Sequence, residues 1–147
     1  KTVNALSHYT DWTIGHVHAG ALGWVGMISI GAIYHMVEKL WNTKMYSARL
    51  LNIHFWMATI GTAIYITAMW ISGIMQGLMW RAYDDHANLA YTFVESVVQM
   101  HPYYAMRAIG GFIFFSGACL MLWHVLKTIH LANREFTSST TARASTY

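Results

Sequence analysis

Two histidines, His16 and His18, stand two residues apart at the start of a long apolar stretch. In an α-helix a two-residue step turns about 200° around the axis, so the two imidazoles point to nearly opposite sides. They cannot chelate one ion from a regular helix, because that requires a spacing of three or four residues. Each can instead hold a separate cofactor, as two haems on either flank of one helix would require. The alternative is a pair of buried, hydrogen-bonded imidazoles without a cofactor.

Small residues follow the histidine pair along the same stretch, at Ala19, Gly20, Gly23, Gly26, Ser29 and Gly31. Small side chains let a flat macrocycle or a neighbouring helix approach the backbone closely. Membrane helices are rich in glycine, so ordinary helix packing stays open as the explanation. The pair Gly73 and Gly77, four residues apart, is interpreted as a packing motif.

The composition predicts that these residues lie in membrane-spanning helices. Of 147 residues, 56% are hydrophobic and 10% are charged, against about 25% charged in soluble domains. Apolar stretches at about 12–37, 50–80 and 103–131 each reach the roughly 20 residues that cross a bilayer. The fold class is therefore all-α, an integral membrane helical bundle. Three helices alone make a thin core, so we expect a part of a larger bundle.

The segments between the spans carry further expectations. Pro102 is placed at the first turn of the third span, where its missing N–H costs nothing. The connection before it, 82–100, is expected to contain a short amphipathic helix around Glu95. Residues 132–147 form a polar tail that is disordered or lies on the cytoplasmic face. Cys119, the single cysteine, is expected to be a small core residue.

The charges predict the orientation in the membrane. Residues 38–49 carry a net charge of +2, residues 81–101 carry −2, and the tail from Lys127 carries +2. Because short basic loops stay cytoplasmic, the first loop and the C-terminus face the cytoplasm and the N-terminus faces the periplasm. The overall charge of +3 reports this topology, so no nucleic-acid partner is expected.

The first residues indicate a chain that begins inside a longer protein. There is no initiator methionine, and the segment from Lys1 to Asp11 lacks the basic region and cleavage site of a signal peptide.

Two runs of sequence resemble a known family. The run 11–24, DWTIGHVHAGALGW, resembles the tenth helix of the haem–copper oxygen reductase catalytic subunit, and is most similar to the C-type branch, subunit I of cbb3-type cytochrome c oxidase. The runs 53–61 and 69–81 resemble the following helix of that branch. The resemblance covers about residues 7–131 and implies a bundle of about 12 helices. The related nitric oxide reductases also carry a His-x-His here, so that motif alone does not separate them.

The resemblance implies roles for four residues. His16 matches the axial ligand of a high-spin haem b, and His18 matches one axial ligand of a low-spin haem b. Arg81 is a candidate partner for a haem propionate, although an arginine that reaches to the membrane interface is the ordinary alternative. His8 lies in a polar stretch, 7–11, that is expected near the propionates.

The family also requires a copper ion, copper B, whose ligands this chain lacks. That site takes three histidines, two of them adjacent, and a cross-linked tyrosine, whereas this sequence has no His-His pair. The second ligand of the low-spin haem also comes from an earlier helix of the family. The other histidines are interpreted as structural or interfacial; they are His35, His54, His86, His101, His124 and His130.

The resemblance thus implies a part of a terminal oxidase subunit that reduces dioxygen to water with electrons from cytochrome c and translocates protons. The implied partners are membrane-anchored c-type cytochrome subunits, the rest of the catalytic subunit and the lipid bilayer. Residues 1–131 are the transmembrane part, and the fragment alone is expected to be inactive. Two alternatives stay open: a nitric oxide reductase subunit, and a haem b subunit that transfers electrons without catalysis.

Overall fold

The computed structural model describes residues 2–144, with side chains described up to residue 141. Within that range the regular structure is helical, apart from one isolated antiparallel bridge between Tyr83 and Leu89. The elements are α1 (Thr2–Ser7), α2 (Asp11–His18), a π-helical segment (Ala19–Gly26), α3 (Met27–Leu40), α4 (Ala48–Met79) and α5 (Phe93–Ala144). The all-α prediction is confirmed.

Three helices in the described part of the chain are long and apolar enough to cross a membrane. They are Asp11–Leu40, which joins α2, the π-helical segment and α3, then Ala48–Met79, and Phe93–Thr141. The number and order of the spans agree with the sequence prediction.

The start of the third span was predicted wrongly. Helix α5 begins at Phe93, so Pro102 lies inside it and no separate amphipathic helix precedes it. A capping box sets this start. The Glu95 carboxylate accepts hydrogen bonds from the Thr92 backbone N–H at 2.7 Å and hydroxyl at 2.8 Å, and the Glu95 N–H donates to the Thr92 hydroxyl at 3.3 Å. This reciprocal arrangement satisfies N–H groups that a helix start leaves free.

Helix α5 also continues through the polar tail that was expected to be disordered, as far as Ala144. Residues 145–147 of that prediction lie outside the described residues. The tail hydroxyls donate back to carbonyls of their own helix, as Thr137 does to Asn133 at 3.0 Å. The Trp41 indole N–H donates to the Asn133 side chain at 3.1 Å and ties the tail to the end of the first span.

Helix α4 lies between the other two spans and packs against both. A Cβ built on Gly61 would stand 2.8 Å from the Gly110 carbonyl oxygen of α5, and one on Gly110 would stand 2.8 Å from the Gly61 oxygen. Real side chains do not come this close, so the crossing of α4 and α5 requires glycine on both helices. The Trp12 backbone occupies the space where a side chain on Gly73 would lie, and Leu6 occupies the space beside Gly77. Their predicted role in packing is confirmed.

Burial is uneven among the spans. In the most apolar 18-residue stretch of α4, 44% of the residues are buried. In the corresponding stretches of the first and third spans, 11% and 17% are buried. Cys119 is exposed on α5, so its predicted place in the core is wrong. The chain therefore presents large apolar faces, which a bilayer or further helices must cover.

Candidate functional site

The start of α2 is held against α4 by a polar bracket formed by Asp11, Ser72 and Gln76. The Asp11 backbone N–H donates to Gln76 Oε1 at 2.9 Å, and the Ser72 hydroxyl donates to Asp11 Oδ2 at 2.9 Å. All three residues are buried. Thr10 caps the helix by accepting from the Trp12 N–H at 3.3 Å. The bracket fixes the position of the helix that carries the histidine pair.

Glycine contacts set the distance between α2 and α4. A Cβ on Gly15 would stand 2.9 Å from both Met69 Cβ and Trp70 Cδ1. A Cβ on Gly73 would collide with the Trp12 backbone and stand 2.6 Å from its Cα. These two glycines let the helix that carries His16 approach α4 backbone to backbone.

The His18 imidazole is oriented by its own helix. Its Nδ1 lies 2.8 Å from the Ile14 carbonyl oxygen. Because a carbonyl oxygen only accepts, Nδ1 carries the proton of the neutral ring. Nε2 then keeps its lone pair free, which is the form in which histidine binds a metal. The Tyr65 ring packs beside this imidazole, with the ring centroids 5.1 Å apart.

The His16 imidazole has different surroundings. The residue is exposed, and its ring stacks on the Trp12 indole with centroids 5.4 Å apart and an interplanar angle of 6°. His16 thus contacts its own first span, whereas His18 faces Tyr65 of α4. The two imidazoles have separate neighbours, as their spacing predicts, and they do not form one chelating pair.

A π-helical segment begins directly after His18, at Ala19, and was not predicted. Such segments are rare and frequently occur at functional sites. The glycine-rich sequence is the one local signal that could have suggested an irregular helix. A Cβ at Gly20 or Gly31 would meet nothing within 4 Å, and one at Gly23 would touch only Thr62 Cγ2 at 3.9 Å. Most of this small-residue face is therefore not used for packing within the described residues.

His8 and Arg81 lie at the same end of the molecule as the polar bracket. His8 is exposed in the turn between α1 and α2 and packs edge-on against Tyr9, with centroids 4.1 Å apart. Arg81 is exposed in the turn that follows α4. Each side chain is free to reach a group bound outside the chain.

Two of the remaining histidines are buried at the other end of the spans. The Tyr34 hydroxyl lies 2.8 Å from His54 Nδ1, and the Ser47 backbone N–H donates to His124 Nε2 at 3.1 Å. His54 is 1% exposed and His124 is 0% exposed. Four other histidines are exposed: His35, His86, His101 and His130. In the described range no three His, Cys, Asp or Glu side chains come together as a metal site.

The sequence matches the family described as "Cytochrome C and Quinol oxidase polypeptide I" over residues 1–113. It is 59% identical over 133 residues to the cbb3-type cytochrome c oxidase subunit CcoN1 of Stutzerimonas stutzeri, covering 90% of this chain and 28% of that protein. It is 57% identical over 136 residues to the cytochrome c oxidase subunit 1 homolog of Agrobacterium tumefaciens, covering 92% of this chain and 25% of the relative.

A third relative is cytochrome c oxidase subunit 1 of Rhodobacter capsulatus, at 48% identity over 130 residues, or 88% of this chain and 24% of the relative. The chain thus spans about a quarter of the length of these relatives, and the residues matched by the family, 1–113, include the histidine pair and α4.

Proposed function

The chain belongs to the cytochrome c and quinol oxidase polypeptide I family, and we propose that it is the part of a cbb3-type cytochrome c oxidase subunit I that supplies two haem-iron ligands. In this proposal His16 binds a high-spin haem b and His18 binds a low-spin haem b. The whole subunit reduces dioxygen to water with electrons from c-type cytochrome subunits and translocates protons. Copper B is held by residues of the whole subunit that lie outside this chain.

The observation that carries the proposal is the orientation of His18. Its Nδ1–H donates to the Ile14 carbonyl at 2.8 Å, so in the neutral ring Nε2 keeps the lone pair with which histidine binds a metal. A hydrogen bond from the second ring nitrogen is the usual partner of a metal-binding histidine, because it fixes the tautomer and raises the basicity of the ligand. The exposed ring of His16 is accessible to a second cofactor on another side of the same helix.

The protein's task in this proposal is to hold and orient the cofactors. Bound haems supply the electron transfer and the oxygen chemistry. The polar bracket and the contacts at Gly15 and Gly73 keep α2 in one position against α4, so both imidazoles are presented from a rigid element. The open faces of Gly20 and Gly31 leave room for a flat group or for a helix of the remaining subunit.

We further assign Arg81 and His8 to the haem propionates. Both are exposed at the end of the molecule that carries α1 and the polar bracket. An arginine guanidinium binds a carboxylate through charge-assisted hydrogen bonds, and a histidine ring nitrogen can donate a further one. Residues 1–131 form the transmembrane part of the bundle in the bacterial inner membrane. The N-terminal end of this segment is periplasmic, and residues 132–147 lie on the cytoplasmic side.

Alanine variants of the two proposed ligands, in the complete complex, test the assignment. His16→Ala should abolish oxygen reduction and remove the haem signal that responds to carbon monoxide, because the high-spin haem loses its protein ligand. His18→Ala should remove the low-spin α-band and stop electron entry. The measurement is the reduced spectrum with and without carbon monoxide, together with oxygen uptake. His130→Ala, exposed on α5, is the matched control and should change neither. A ligand variant that keeps both haem spectra would refute the proposal.

Cysteine labelling tests the orientation. The basic first loop and the acidic 81–101 segment carry charges of opposite sign, and basic loops stay in the cytoplasm. A single cysteine at 39–44 should react with an impermeant thiol reagent only from the cytoplasmic side, and one at 84–88 only from the periplasmic side. The opposite labelling pattern would reverse the orientation and place the histidine pair near the inner surface.

A further inference from the structure

We infer that Trp12 is a positioning residue for His16: its indole sets the plane of the imidazole that we assign to the high-spin haem. The inference rests on the proposed function, because it concerns the orientation of that ligand. It assigns a task to a side chain four residues before the ligand, which a helix places one turn away on the same face.

The argument begins with the difference between the two imidazoles. His18 is oriented by a hydrogen bond to Ile14, which fixes rotation about its Cβ–Cγ bond. For His16 the described residues show a ring stack instead, with an interplanar angle of 6° and a centroid distance of 5.4 Å. The last torsion of a histidine side chain is intrinsically broad. A parallel aromatic neighbour therefore restricts a rotation that the backbone leaves free.

Trp12 can act in this way because it is itself held in place. Its backbone fills the space above Gly73, where no Cβ would fit. The backbone N–H of Trp12 donates to the Thr10 hydroxyl at 3.3 Å. The preceding residue, Asp11, is bound by Ser72 and Gln76. The indole thus extends from a fixed stretch of backbone, and a shift of the imidazole plane would have to overcome the stacking contact.

If His16 binds a haem iron, the orientation of its imidazole would affect that bond, since the plane of the ring sets how its π-electrons overlap with the metal orbitals. Offset-stacked aromatic pairs contribute about 0.5–1.5 kcal/mol beyond their buried area. A loss of that size corresponds to about a twofold to twelvefold change in an equilibrium or a rate. Removal of the stack should therefore perturb the ligand without removing the haem.

The experiment compares Trp12→Leu and Trp12→Phe in the complete oxidase complex. The readout is the iron–histidine stretching band of the reduced high-spin haem in resonance Raman spectra. In Trp12→Leu this band should shift or broaden at unchanged haem content, because loss of the stack lowers the population of the parallel ring orientation about twofold to twelvefold. Trp12→Phe keeps an aromatic ring beside His16 and should restore most of the wild-type band.

Trp24→Leu is the matched control. Trp24 lies on the same span and is 71% exposed, so its removal should leave the band unchanged. A wild-type band in Trp12→Leu would overturn the inference, and so would equal shifts in Trp12→Leu and Trp24→Leu. These results are separable from failure of the proposed function, because that failure would appear as an intact high-spin haem in His16→Ala.

Discussion

Among the histidines of the membrane-spanning helices, the pair His16 and His18 and the pair His54 and His124 differ in exposure and in partners. Near the start of the first span, His16 is exposed and His18 is half-buried. His54 and His124 are 1% and 0% exposed at the opposite end. We propose the first pair as cofactor ligands, whereas His54 and His124 each have a ring nitrogen in a hydrogen bond to another span or loop of the chain. The comparison separates a proposed ligand pair from a pair that links the spans.

The buried pair joins three spans. Tyr34 of α3 bonds to His54 of α4 at 2.8 Å, and the Tyr34 ring lies 5.7 Å from the His54 ring and 6.0 Å from the His124 ring of α5. The Ser47 N–H at the start of α4 donates to His124. We call these four residues the inner junction. His124 Nδ1 is buried without a hydrogen-bond partner among the described residues, whereas Tyr34, His54 and His124 Nε2 are bonded within the junction. Because these bonds and ring contacts link three spans, we expect the junction to stabilise the chain.

Removal of His54 should give the largest effect on stability. His54→Leu leaves the buried Tyr34 hydroxyl without its partner, which costs about 1–3 kcal/mol. The melting temperature and the yield of the complex should fall, while both haem spectra persist in the complex that assembles. His35→Leu, exposed on the same span as Tyr34, should change stability by no more than about 0.5 kcal/mol. Normal stability with a missing haem band in His54→Leu would reverse the comparison between the two pairs.

Ser72→Ala should have a smaller and more local effect. It removes the hydroxyl that donates to Asp11 Oδ2 at 2.9 Å, a loss of about 1 kcal/mol. Because this bond fixes the start of α2, amide hydrogen exchange should quicken at residues 11–15 and stay unchanged at the inner junction. Thr67→Ala, exposed on the same helix, is the control. Uniform exchange changes along all the spans would show that the polar bracket is not a local device for holding the histidine pair.

The smallest effect is expected in the loop between α4 and α5. The Asp84 carboxylate accepts from the backbone N–H groups of Asn88 at 2.8 Å and His86 at 2.9 Å. These bonds, that of Asn88 first, lower the pKa of Asp84 below its ordinary value of 3.8. Since the folded pKa is the lower one, the stabilisation is present above pH 3.8 and is lost as the pH falls through the folded value.

Amide exchange at residues 86 and 88 measures this effect. Protection should persist down to pH 3.8 and decline below it, and Asp84→Asn should weaken it at neutral pH without changing the haem spectra. Unchanged protection in Asp84→Asn would show that the carboxylate does not order the loop.

Much of the fold could be predicted from the sequence because backbone polar groups inside a bilayer must be hydrogen-bonded within the protein. Long apolar stretches must form helices that satisfy their own backbone groups, so composition alone determined the number of spans and the all-α class. The same reasoning made Gly73 and Gly77 packing residues. It failed at the start of α5, where the Thr92–Glu95 capping box outweighed the expectation placed on Pro102. It also failed in the polar tail, which α5 includes up to Ala144.

The sequence by itself also determined that the His16 and His18 side chains lie on different sides of the helix and contact different groups. This follows from the angle between successive residues of a helix. The hydrogen bond of His18 to Ile14 and the stack of Trp12 on His16 are contacts within one helix, between residues four apart. Only the tertiary structure decided that His54 and His124 are buried and that they contact Tyr34 and Ser47. The physical reason is that the burial and the partners of these two histidines depend on contacts between spans. Gly61 of α4 meets Gly110 of α5 across 49 residues of sequence, and no local pattern encodes which faces such a crossing buries.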